Sequence, residues 1–151
     1  MILHLPDTLL TGIQAVDDQH LALVALHNEI VTGFDEQRPP YYTIEALARL
    51  YQYSRQHFES EEKIMLRYGY EGLDEHQRDH RALLEQLRRV VLDYRRRPES
   101  VTESIKSFVH EWVVQHIEED DLEFAAPVLG AMEREREALV AEAESPVEIA
   151  P

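Results

Sequence analysis

The sequence predicts an all-α fold: an up-down-up-down antiparallel four-helix bundle with a C-terminal helical extension. Three observations carry this reading. Four segments of the 151-residue chain repeat apolar side chains at the helical period. Glycine and proline are few, five and seven, and they stand outside the apolar patterns of those segments or at their edges. The connections between them are short, which makes successive helices antiparallel neighbours.

The first segment runs from about Asp18 to Phe34, with Leu23, Val24, Ile30, Val31 and Phe34 as its apolar face and His20 and His27 on that same face. Asp17 or Asp18 is expected to cap its start. The second runs from about Thr43, a candidate N-cap, to Arg67, and carries Leu47, Leu50, Tyr53, His57, Glu61, Ile64 and Met65 on or near one face. Gly69 and Gly72 then interrupt the chain. The third covers about Leu73 to Arg96, with a stripe of His76, His80, Leu83, Leu84, Leu87, Val91 and Tyr94 and a basic C-terminal end that suits the helix dipole. The fourth is expected from about Glu99 to Gln115 or slightly beyond, with Ile105, Phe108, Val109, Trp112, Val113 and His116 inward. A separate charged stretch, about Pro127 to Glu142, forms the extension. The expected division is a bundle over residues 1–126 and an extension with a loose tail over 127–151.

Composition narrows the function. The formal net charge is −15, so the basic patch that phosphate binding needs is missing and nucleic acid is excluded as a partner. An anionic membrane surface is disfavoured for the same reason, and no stretch approaches the roughly 20 apolar residues of a membrane span. The first ten residues lack a basic leader, which makes the cytoplasm the expected compartment. There is no cysteine, so disulfides, thiolate sites and iron–sulfur clusters are excluded.

The histidines carry the chemistry. The chain has eight: His4, His20, His27, His57, His76, His80, His110 and His116. Six fall on apolar stripes; His110 is expected to face solvent and His4 to lie in a mobile segment. Six neutral imidazoles in one small core each need a donor and an acceptor, a demand that bound metal relieves by taking the lone pairs. His76 and His80 are four residues apart, a turn of about 400° and a rise of about 6 Å, so both rings can reach one metal. His57 and Glu61 repeat that spacing, with a carboxylate able to bridge two metals. Each of the four helices thereby delivers a ligand inward, as in di-metal bundles. Asp121 follows His116 by five residues, which on an ideal helix turns it roughly 140° away, so a shared site requires the fourth helix to end or bulge between them. Spacing alone does not choose Asp121 over Glu118, Glu119 and Asp120.

Order and spacing together resemble the bacterial hemerythrin family. The resemblance rests on Gly12-Ile13, Asp17-Asp18-Gln19-His20, Tyr53, His57-Phe58-Glu59-Ser60-Glu61-Glu62, Met65, Tyr68-Gly69-Tyr70, His76, His80, and Trp112 through His116-Ile117 to Asp121. It covers roughly residues 5 to 125. It implies two iron ions with an oxo or hydroxo bridge: one held by His76, His80 and His116, the other by His20 and His57, with Glu61 and Asp121 bridging. It also implies reversible dioxygen binding at the open position of the second iron, as a carrier, store or delivery protein and not an enzyme. A sensing module, or a di-iron oxidase or scavenger of nitric oxide or peroxide, is the alternative. The oxidase reading is disfavoured because no Glu precedes any of these histidines by three residues: Ser54, Leu73, Gln77 and Val113 stand there instead. Leu5 stands where the family commonly has Trp, and His27 where it usually has an aliphatic residue. His27 is read as a buried structural histidine, with a tuning of oxygen access or autoxidation as the sharper alternative. A monomer is favoured, with the extension expected to offer a surface to a protein partner.

Overall fold

The computed structural model describes residues 2–100 and 103–146; of residues 100, 103 and 119–122 it describes the backbone alone. Every regular element of the described residues is helical, with four α-helices: α1 (Gln14–Asp35), α2 (Pro40–Arg67), α3 (Leu73–Arg96) and α4 (Glu103–Glu144). One-turn 3-10 helices precede α1 (Asp7–Leu9) and α4 (Pro98–Ser100). The all-α four-helix expectation is borne out.

Helix starts differ from the expected caps. Helix α1 begins at Gln14, and Asp17 lies in its first turn, where its carboxylate accepts from the Thr11 and Gly12 amides (2.7 and 3.1 Å) and the Thr11 hydroxyl (2.8 Å). It therefore fastens the incoming chain instead of capping the helix. Helix α2 begins at Pro40, whose missing amide costs nothing at a first position, and Thr43 is buried inside the helix.

Two turns end alike. After α2, Gly69 takes φ +67°, Tyr70 N–H donates to Met65 C=O (2.9 Å) and Gly69 N–H to Leu66 C=O (3.3 Å). That pairing is a Schellman motif, which needs the left-handed conformation glycine adopts freely. After α1 the same pattern recurs, Arg38 N–H to Gly33 C=O and Gln37 N–H to Phe34 C=O, with Gln37 in the left-handed position at φ +53°.

The main core joins all four helices through Leu23, Ile30, Leu47, Leu50, Leu87, Val109 and Val113. Trp112 closes one side, and its indole N–H donates to Leu83 C=O at 3.1 Å. A second cluster of Ile13, Val16, Met65, Phe124 and Val128, with Met132 against it, seals the opposite end.

The sequence reading places an end between the fourth helix and the extension. The structure has one 42-residue helix instead, with Pro127 inside it. An interior proline removes one backbone bond and crowds the preceding turn, at about 3 kcal/mol. Burial of Phe124, Ala125 and Val128 on either side offsets that cost and holds the chain helical. Residues 133–146 are exposed, and Glu135 near the start of this stretch pairs with Arg67 of α2 at 2.8 Å.

Candidate metal centre

Helix–helix packing brings the inward histidines to one level of the bundle. His20, His57, Glu61, His76, His80 and His116 are all buried, at 0 to 3% exposure. Ligand atoms of His20, His57, Glu61 and His116, from α1, α2 and α4, lie within 4.8 Å of one another. Glu61 is their centre. Its Oε1 is 2.6 Å from His57 Nε2, 3.3 Å from His20 Nε2 and 3.8 Å from His116 Nε2. Its Oε2 turns to α3, 3.3 Å from His80 Nε2. One carboxylate thus presents its two oxygens to two groups of imidazoles. The ring of His116 stands between the groups, 5.0 Å from that of His57 and 6.0 Å from that of His80.

His76 continues the row toward Phe124 and Tyr70, its ring 6.0 Å from that of His80. Its Nε2 is 3.6 Å from the exposed Glu123 carboxylate. Asp121 lies on α4 with its side chain outside the described residues, and the helix end expected between His116 and Asp121 is absent.

The donor set fits metal. Burial would raise the Glu61 carboxyl, but the His57, His20 and His80 rings around it hold it well below the usual carboxylate range. Burial pushes His57 down to about 4, against the opposing pull of Glu61. A neutral His57 whose Nδ1–H is engaged elsewhere directs an Nε2 lone pair at the Glu61 oxygen and at His116 Nε2, 2.9 Å away. Converging lone pairs in a dry core repel unless a cation lies among them. Neutral imidazoles and a carboxylate, with no thiolate, are the donor set of iron and its neighbours in the first transition row.

Sequence reasoning did not assign the residues that aim these rings. His57 Nδ1–H donates to Gln19 Oε1 at 2.6 Å, and Gln19 is held in turn by Ser60 Oγ at 3.0 Å. His80 Nδ1–H donates to Glu62 at 3.1 Å. Each bond sets the tautomer that turns Nε2 inward. Phe58 stacks on His80 with ring centres 4.0 Å apart and planes 4° from parallel, which fixes that ring from the other side. The available signal was adjacency: Gln19 precedes His20, and Glu62 follows Glu61. Replacing Gln19 or Glu62 with Leu should weaken metal affinity by about 10- to 100-fold, read by competition with a chelator.

The pH response follows from His57. Unfolded, it binds a proton near 6.5; folded, only near 4. Between those values the unfolded state binds more protons, so stability falls as pH drops. Urea midpoints of metal-free protein should decline from pH 7 to pH 4, by up to about 3 kcal/mol from this one group.

Among the described residues, no helix is long and apolar enough to cross a membrane. The model of the hemerythrin HHE cation binding domain matches residues 11–127. Similar proteins include the bacteriohemerythrin of Pseudomonas aeruginosa (strain LESB58), 31% identical over 130 residues that cover 83% of this chain and 81% of that one. The bacteriohemerythrin of Stenotrophomonas maltophilia (strain R551-3) is 28% identical over 126 residues, covering 81% and 78%. A buried His/Glu cluster from α1, α2 and α4, with His80 of α3 against its Glu61, on a bundle matched over most of its length, places the chain in the hemerythrin HHE cation-binding domain family.

Proposed function

We propose that this protein binds dioxygen reversibly at a non-haem di-iron centre, as a carrier or store. The observation that carries the reading is Glu61, a fully buried carboxylate whose two oxygens face imidazoles from different helices. When bound, two ferrous ions supply the two electrons and the Lewis acidity that dioxygen binding requires. In this reading His76, His80 and His116 would hold one iron and His20 and His57 the other, and Glu61 and Asp121 would supply the carboxylates shared by both.

The chain's own residues favour reversibility. The Glu61 and Asp121 carboxylates would offset two of the four ferrous charges, which lowers the cost of holding the ions in a core. Phe58 and Trp112 wall the cluster with apolar rings, 4.7 and 6.2 Å from that of His116. Exclusion of water protects the bound gas from loss in a reduced form. A five-histidine set also leaves fewer exchangeable positions than a carboxylate-rich oxidase site.

The test is iron analysis with absorption spectra of anaerobically reduced protein before and after oxygen. Two irons per chain, and a band that appears with oxygen and disappears on its removal, are expected. Fewer than two irons, or a change that does not reverse, overturns the proposal.

One observation favours sensing as a second reading. Helix α4 runs unbroken from His116 to the exposed residues 133–144, a continuous rod from the centre to the surface. A partner retained by the oxygenated protein and released by the reduced one would establish sensing; equal retention would dismiss it.

A further inference from the structure

A second pair of histidines lies away from the centre. His27 stands on α1 seven residues beyond His20 and is fully buried. His110 stands on α4 six residues before His116 and, contrary to the solvent-facing expectation, is half-buried with its Nδ1 inside. Their ring centres are 5.3 Å apart. That separation falls within the 4.8 to 5.5 Å found among His20, His57 and His116. Helices α1 and α4 therefore bring imidazoles together twice, at two levels of the bundle.

The pair is prepared as ligands are. Leu3 N–H donates to Asn28 Oδ1 (2.8 Å), and Asn28 Nδ2 donates to Leu3 C=O (3.0 Å), which together fix the amide's orientation. His27 Nδ1, 2.9 Å from Asn28 Oδ1, must then be the protonated nitrogen. The lone pair falls on Nε2, which is buried and has no hydrogen-bond partner. Gln19 on His57 and Glu62 on His80 impose the same arrangement at the main centre. His110 Nδ1 is likewise buried without a partner. Burial lowers the His27 pKa, against the Asn28 hydrogen bond, and His110 lowers it further, so the ring stays in its neutral, ligating form.

We propose that His27 and His110 form a second, mononuclear site for an imidazole-preferring divalent transition metal such as zinc. Magnesium and calcium are not its ions, because both demand oxygen ligands. No group of three or more ligating side chains includes the pair among the described residues, so water completes the coordination from the half-exposed His110 side. The site does not depend on what the main centre binds.

The experiment loads the full chain with iron to saturation, adds Zn2+, desalts, and measures zinc and iron per chain. One zinc beyond an unchanged iron content is expected. His27→Leu and His110→Leu should each lower zinc affinity at least tenfold with iron content retained. Should His27→Leu fail to fold, His110→Gln at the half-exposed position decides alone. Mg2+ should not compete. The proposal is overturned if no zinc is retained above the iron, which would leave an ordered water in the site. It is equally overturned if the variants keep wild-type zinc affinity, which would put the metal elsewhere on the acidic surface.

Discussion

Stripping metal from this protein should lower its melting temperature by roughly 10 °C or more. A ligand present at a thousand times its dissociation constant stabilises the native state by about 4 kcal/mol, and a chain of this size shifts by about 2–4 °C per kcal/mol. The structural cause is specific. Without a cation, the buried Glu61 carboxylate and the lone pair of His57 share a small buried volume with the rings of His20, His80 and His116. The measurement is a thermal scan of metal-loaded protein against protein treated with chelator, with metal added back as the control. Coincident transitions would show that the cluster is satisfied without metal, and the reading of the centre would fall.

Glu61→Gln should abolish stoichiometric metal loading while leaving the helices in place. The substitution keeps the shape and one acceptor but removes the only charge in the described cluster and half of its bridging capacity. Loss of the carboxylate should cost at least as much affinity as loss of a supporting contact, so roughly a hundredfold or more, or about 3 kcal/mol. Metal content after desalting and the far-ultraviolet circular dichroism spectrum check the two halves. A helical variant that retains full metal content would show that Glu61 is not a ligand. An unfolded variant would show that the carboxylate is required for the fold itself, contrary to the expectation that its hydrogen bonds survive in the amide.

The two predictions probe one residue from opposite sides, and their combination discriminates. If Glu61 is held only by metal, the chelated wild type and Glu61→Gln should melt close together. Burying a charge among neutral partners is often no more stable than burying none.

The periodicity of the chain determined much of this protein. Apolar positions every three to four residues define all four helices, and the bounds of α3, Leu73–Arg96, follow directly from Gly72 and Pro98. The pairs His57/Glu61 and His76/His80 were legible because i and i+4 lie on one face of any helix, whatever surrounds it. Such relations are local, fixed by backbone geometry alone. What depended on packing was not legible. The chain continues helically through Pro127 because Phe124 and Val128 are buried against Ile13, Val16 and Met65, contacts far apart in sequence. Gln19 and Glu62 lie about 100° around their helices from the ligands next to them, and only the neighbouring helix decides whether that direction meets water or an imidazole. His110 sits at the border of the α4 stripe, and the rotation of α4 against α1 turns it toward His27. The identity of the metal-ligating side chains was therefore written in one helix at a time. The orientation of Glu61 between two sets of histidines, and the second histidine pair, came only from how four helices seat together, because burial and cross-helix distance are properties of the packed bundle.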